Sequence, residues 1–362
     1  MKYTFILKNI SNSIKKSVGK TLGLTLSKPL EITIQPNKRC NARCLMCNFW
    51  EEKEDYINSE EIIHTLQQLK KWIGGNFFLQ IAGGEPLVYK GIYDIFSFCS
   101  KNDIICKIST NGIALTENVC NKIIGSRLSF LSVSLDSHLN ETHDKFRGVS
   151  GALDRSVNGI KYLAENSKIT LGISSVLMNA NVKDFPETVD FFLSLPVHRL
   201  LIQPIGVWTE NLPPERWNEY EHWINDPEAI DNLIKYLTEK KKTDDRILNT
   251  EKDFKEWKEY FLHPENVANK FEKKCTIGYN KLDIDYKGNI YLGCPHYSAA
   301  GNIKTDSVKK VWRSLKAKRI RRQMTKCKRP CTYNCYKELS LKEKAHKAKV
   351  LIKSGLFDSR DN

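Results

Sequence analysis

Residues 30–47 read LEITIQPNKRCNARCLMC, and the fold follows from how this stretch is parsed. Its first six residues carry the β-branched Ile32, Thr33 and Ile34, which predicts a strand over 30–35, and Pro36 stops it. Cys40, Cys44 and Cys47 then follow in the pattern C-x3-C-x2-C, in a loop directly after that strand. The same alternation continues downstream. Strand patterns at 77–82, 104–109, 128–135, 169–177 and 199–203 are separated by helical patterns at 59–72, 92–100, 117–124, 152–165 and 185–195. Asn58 or Ser59 is placed to cap the first of these helices, with Glu60 and Glu61 in its first turn.

Short apolar strands alternating with amphipathic helices imply parallel strands with helical crossovers. Six such units predict an α/β fold, a partial, TIM-like (β/α)6 barrel. In such folds the chemistry sits at the C-terminal ends of the strands. The cysteine loop falls there after the first strand, Gly83-Gly84-Glu85-Pro86 after the second, and Thr110-Asn111-Gly112 after the third. The fourth strand ends in Ser132-Val133-Ser134-Leu135-Asp136.

Around this core, at 30–206, the chain divides further. Residues 1–29 are a basic lead-in in which Ile6, Ile10, Ile14, Val18 and Leu22 recur near helical spacing. That helix is expected to pack on the domain, with peripheral membrane contact as its second reading. Residues 207–273, with Trp208, Trp217, Trp223 and Trp257, carry no strand pattern and read as a helical linker or substrate-facing cover. A compact cysteine-bearing module follows at 274–340, opening with a strand pair turned at Lys287-Gly288. A basic tail, 341–362, closes the chain.

The chain has 362 residues, a net charge of +15 and eleven cysteines. No apolar run reaches the roughly 20 residues of a spanning helix, and lysines interrupt the N-terminus too often for a secretory signal. A cytoplasmic location is therefore expected, and clustered thiols there suggest metal or redox chemistry rather than disulfides. Cys99, Cys106 and Cys120 stand singly in helix and strand patterns and read as small buried residues. Much of the positive charge falls between Lys304 and Arg329, including Lys309, Lys310, Arg313, Lys316, Lys318, Arg319, Arg321 and Arg322. It reads as a solvated helix face or as a docking surface for an anionic substrate, partner or membrane.

Three thiolates as close as Cys40, Cys44 and Cys47 can hold three corners of a cubane cluster and leave one iron open to a small molecule. Lys38, Arg39 and Arg43 are placed to keep the thiols ionised. A structural zinc knot is the alternative. It needs a fourth ligand, and the next histidine, His64, lies on a helix.

The spacing of Cys40, Cys44 and Cys47 resembles the defining motif of the radical S-adenosylmethionine (SAM) superfamily. The resemblance implies a 4Fe-4S cluster whose fourth iron is chelated by SAM. One electron then cleaves SAM to methionine and a 5′-deoxyadenosyl radical, which abstracts hydrogen from substrate. It also implies a reducing donor such as a flavodoxin or ferredoxin. Gly83, Gly84 and Glu85 match the motif that meets the SAM amino group. Asn111 and Ser134 match positions contacting the ribose or carboxylate, and Arg147, in His143-Asp144-x-x-Arg147-Gly148, matches a partner of the SAM carboxylate. Met46 departs from the aromatic residue usual before the third cysteine, and adenine packing is expected to survive it.

Cys275, Cys294, Cys327, Cys331 and Cys335 resemble the auxiliary-cluster modules of the SPASM and twitch subfamilies. A full SPASM module has seven cysteines, so five imply one auxiliary 4Fe-4S cluster. Which four are ligands stays open, and a structural zinc site is the alternative. The short lead-in tilts the expected substrate toward a small metabolite or an envelope or sugar precursor. A ribosomal peptide is the next reading, then RNA modification, for which a nucleic-acid partner is not favoured, and last a non-catalytic iron–sulfur or zinc protein. Nucleotide cyclisation is disfavoured because the chain ends Asp361-Asn362 rather than Gly-Gly. No residue acting on substrate is singled out.

Overall fold

The computed structural model describes residues 2–21, 24–47, 49–51, 57–75, 77–207, 214–266 and 275–327. The six expected strands form: β1 (Glu31–Ile34), β2 (Phe78–Ile81), β3 (Ile105–Thr110), β4 (Phe130–Ser134), β5 (Thr170–Leu177) and β6 (Arg199–Pro204). Each lies parallel to the next. A helix, α1 (Lys2–Thr21), precedes them. The crossovers are α2 (Ser59–Ile73), α3 (Ile92–Lys101), α4 (Glu117–Gly125), α5 (Asn140–Arg147) with α6 (Ala152–Asn166), and α7 (Phe185–Ser194). Helix α2 starts where the sequence places its cap. Asn58 accepts from the Glu61 backbone N–H, and the Glu61 carboxylate accepts from the Asn58 N–H.

Strand alternation gives the sheet two unlike faces. Ile32, Ile34, Leu79, Ile81, Ile108, Leu131 and Val133 are fully buried in the core with the helices. The intervening positions, Gln80, Lys107, Ser109, Ser134, Ser174 and Gln203, are half-buried and polar. Across this polar face Gln80 donates to Ser109 at 3.3 Å, and the Ser132 and Ser174 hydroxyls lie 2.8 Å apart. Cys99, Cys106 and Cys120 are buried as small core residues.

The C-terminal module is not a separate appendage. Its hairpin, β7 (Lys281–Ile284) and β8 (Asn289–Tyr291), turns at Gly288, whose φ is +83°. Strand β7 pairs in parallel with β1, Glu31 opposite Lys281 and Ile34 opposite Ile284. With β9 (Gly301–Asn302), the result is a nine-stranded sheet in the order β6-β5-β4-β3-β2-β1-β7-β8-β9. Two helices follow, α10 (Val308–Arg313) and α11 (Leu315–Met324).

The cover departs from expectation twice. Besides α8 (Pro227–Thr243) and α9 (Glu251–Leu262), it lays an extended piece along β6. Leu200 N–H donates to Arg246 at 2.9 Å, Leu248 N–H donates to Leu200 at 2.8 Å, and the Asn249 amide bonds both backbone groups of Ile202. Three of its tryptophans are also packed inside the protein. Trp217, Trp223 and Trp257 are buried, Trp223 within 4.9 Å of the Tyr260 ring. Trp208 lies outside the described residues.

The N-terminal helix is a third difference. Its apolar residues Ile10, Ile14 and Val18 are exposed rather than packed on the domain.

Candidate active site

The loop carrying Cys40, Cys44 and Cys47 lies at the C-terminal end of β1, and all three thiols are free and half-buried. It is held from two sides. From β2, Gly84 N–H donates to Asn37 at 3.1 Å and Glu85 N–H to Arg39 at 2.8 Å. From α5, the last carbonyls turn onto the same loop, Arg147 accepting from Arg43 N–H at 2.8 Å and Phe146 from Leu45 N–H at 3.0 Å.

This geometry explains the glycines. A methyl at Gly84 would lie 2.1 Å from the Arg39 carbonyl, and one at Gly83, where φ is +112°, 2.6 Å from that of Asn37. Their close approach is to the cysteine loop itself. Glu85 is likewise committed within the chain. Fully buried, it accepts from Leu87 N–H at 3.0 Å, Thr110 hydroxyl at 2.8 Å and Asn111 N–H at 2.7 Å. Burial pushes its carboxyl up against those bonds and against nearby Arg147. Glu85 thus ties the β2 loop to the β3 loop.

Asn111 and Arg147 reach the sulfurs. The Asn111 amide donates to Asn41 at 2.7 Å and points at the Cys40 sulfur from 3.7 Å. Arg147 Nη1 points at the Cys44 sulfur from 3.7 Å, while its Nη2 pairs with the fully buried Asp136 at 2.6 Å. Burial alone would lower Arg147, but Asp136, Cys44 and Cys40 outweigh it and hold the guanidinium above its ordinary value. Ser134 ends β4 opposite Ser174.

Two of the cations expected at the thiols, Arg43 and Lys38, make other contacts. Arg43 donates to the carbonyls of Cys40 and Ala42 and lies over the Trp50 ring at 4.9 Å. Lys38 lies over the rings of Phe49 and Tyr286. Burial pushes the Cys40 and Cys47 thiols up, and Arg147 is the cation aimed at a sulfur. Met46 packs against the core.

Two supporting residues, Asp136 and His143, were quoted within motifs in the sequence but given no role there. Asp136 joins three elements. Its backbone N–H donates to His143 Nδ1 at 3.2 Å, its Oδ1 accepts from Val176 at 2.9 Å, and its carbonyl accepts from Asn181 at 2.8 Å. His143 is fully buried, and burial followed by the Arg147 charge pulls its pKa down to about 4. Helix α5 was missed as well. Its signal is Gly148, a left-handed cap with φ of +65°.

In the C-terminal module, Cys275, Cys294 and Cys327 lie near one another. Burial and then the charges of Cys275 and Cys327 are what push the Cys294 thiol up to about 11. Tyr297 donates toward Cys327. Cys331 and Cys335 lie outside the described residues. Among the described residues no three thiol, imidazole or carboxylate groups converge tightly enough for a single metal ion.

Residues 34–192 match the radical SAM superfamily model and residues 275–336 the SPASM iron–sulfur cluster-binding domain. The chain thus contains a radical SAM domain and, C-terminal to it, a SPASM domain. The first domain implies a 4Fe-4S cluster and SAM, and the second binds auxiliary iron–sulfur clusters.

Among curated relatives, the Fe-coproporphyrin III synthase of Methanosarcina barkeri (strain Fusaro / DSM 804) is 29% identical over 45% of this chain and 41% of its own. The probable GTP 3′,8-cyclase of Methanocaldococcus jannaschii is 32% identical over 44% of this chain and 54% of its own. The chain thus spans about half the length of the curated relatives it matches. The structure of Streptococcus suis SuiB bound to precursor peptide SuiA shares the fold, with a TM-score of 0.62 and 20% identity, over 84% of this chain and 69% of that one.

Proposed function

We propose that this chain reductively cleaves SAM and abstracts hydrogen from a polar small molecule, a metabolite or an envelope or sugar precursor. The observation that carries this reading is one loop at the end of β1 that carries Cys40, Cys44 and Cys47 as free thiols, with Asn111 aimed at the Cys40 sulfur and Arg147 at that of Cys44, at the rim of a hydroxyl- and amide-lined sheet face. The cluster and SAM, when bound, supply one-electron bond cleavage and hydrogen-atom abstraction. Cys40, Cys44 and Cys47 hold the iron. Gly83 and Gly84 keep the cysteine loop against β2, and Glu85 fixes that loop to Asn111. Arg147 balances thiolate charge, and Ser134 offers a hydroxyl from β4. Cys275, Cys294 and Cys327, with one of Cys331 and Cys335, hold one auxiliary cluster.

Gln80, Ser109, Ser132, Ser134, Ser174 and Gln203 suit a substrate rich in hydroxyl or amide groups, because buried polar groups need partners. A peptide is the second reading, since the SuiB fold accommodates one.

The test is anaerobic reconstitution, counting iron and zinc and assaying 5′-deoxyadenosine after dithionite and SAM. About eight irons per chain are expected, falling to about four in the Cys40→Ala, Cys44→Ala, Cys47→Ala variant with loss of deoxyadenosine. Zinc without iron, or iron without SAM cleavage, would overturn the reading.

A further inference from the structure

Helix α1 carries Ile10, Ile14 and Val18 on the side away from the protein. Ile10, Ile14 and Val18 recur at i, i+4 and i+8 and are 53%, 60% and 44% exposed. Polar groups anchor the opposite side. Asn12 exchanges hydrogen bonds of 2.9 and 2.8 Å with the Lys28 backbone, and Lys8 donates to the carbonyls of Gly74 and Gly75. The inversion continues past the helix. Leu24 and Leu26 are 51% and 41% exposed, while Thr25 and Ser27, which alternate with them, are held from within. Ser27 donates to Tyr279 at 2.8 Å and accepts from Trp312 at 2.9 Å, and Thr25 accepts from Arg321 at 3.2 Å. Those bonds bring α10 and α11 beside the apolar strip.

The strip is rimmed by cations. Lys28 lies close to Lys15, Lys309 and Arg313, whose charges add to burial in pulling it down. Lys15, Lys309 and Arg313 are exposed, and α1, α10 and α11 contain no acidic residue.

We infer that this face docks on the surface of an anionic lipid bilayer. Helix α1 lies in the interface plane, with Ile10, Ile14, Val18 and Leu24 among the upper acyl chains and Lys15, Lys309 and Arg313 at the headgroups. A second copy of this chain would set one cationic rim against another, and a nucleic acid would leave the apolar strip unmatched. No helix among the described residues is long and apolar enough to cross a membrane, so the attachment is to one leaflet.

The test is co-sedimentation of the full-length protein with vesicles of phosphatidylcholine alone and of phosphatidylcholine mixed with phosphatidylglycerol. Binding is expected to the mixed vesicles and to fall as salt rises. Ile14→Asp with Val18→Asp should abolish it. Lys309→Glu with Arg313→Glu should weaken it roughly five-fold per removed cation. Both variants should keep wild-type circular dichroism and deoxyadenosine formation. No binding, or equal and salt-independent binding to both vesicle types, would overturn the inference. So would failure to bind together with a dimer that Ile14→Asp, Val18→Asp splits, which would assign the strip to self-association.

Discussion

Arg147 and Asp136 form the most consequential side-chain pair at the site, because both are buried and each is the other's charge partner. Removing one charge strands the other in a low-dielectric interior. Asp136→Asn should destabilise the fold by about 3 kcal/mol or more, read as a lower urea midpoint with unchanged slope. A change under about 1 kcal/mol would show that the pair is not truly desolvated.

His143, beside this pair, predicts a pH dependence. Its folded pKa, about 4, lies below its ordinary value of 6.5, so the folded chain resists a proton that the unfolded chain accepts. Stability is therefore fully present above about pH 6.5 and lost as pH falls toward 4, by roughly 3 kcal/mol. Melting of the metal-free protein across that range should show the loss, and His143→Phe should flatten it.

At the scale of elements, α5 is the clamp on the cysteine loop, and Gly148 is its closest point. A methyl there would lie 2.6 Å from the Arg43 carbonyl, in a left-handed conformation that L side chains resist. Gly148→Ala should lower iron to about half while leaving the auxiliary iron in place. Equal loss of both would show that α5 serves the whole fold and not the loop.

Elements also mark how far sequence alone carries. The strands and every crossover helix but α5 were legible because apolar periodicity is local, and Asn58 with Glu61 announced α2 by a capping rule. The cysteine triad was legible from spacing. Asp136 and His143 were not, since a lone buried Asp or His has no periodic signature and gains its meaning from distant Arg147 and Val176. The roles of Lys38 and Arg43 were misread because proximity in sequence says nothing about which way a long side chain turns. The exposed strip on α1 was invisible for a similar reason. Periodicity identifies an apolar face but not which way it looks.

At the scale of the whole molecule, β7 sits inside the sheet, between β1 and β8. Cutting the chain after residue 274 would leave β1 as a bare edge with unpaired backbone groups. The truncated protein should aggregate, and the amides of Glu31 and Gln35, which donate to Asn280 and Ile284, should lose hydrogen-exchange protection. A soluble, monomeric product with protected β1 amides would show that the core closes without its C-terminal partner.

That same pairing sets a schedule for the newborn chain. Glu31 finds its neighbour Lys281 only after about 250 further residues have been made. At ribosomal speeds the first strand waits on the order of ten to fifty seconds for the other half of its ladder. Throughout that interval a strand destined for the middle of a sheet stands open on one side. Chaperone demand should therefore peak late in synthesis, just before residue 281 leaves the exit tunnel.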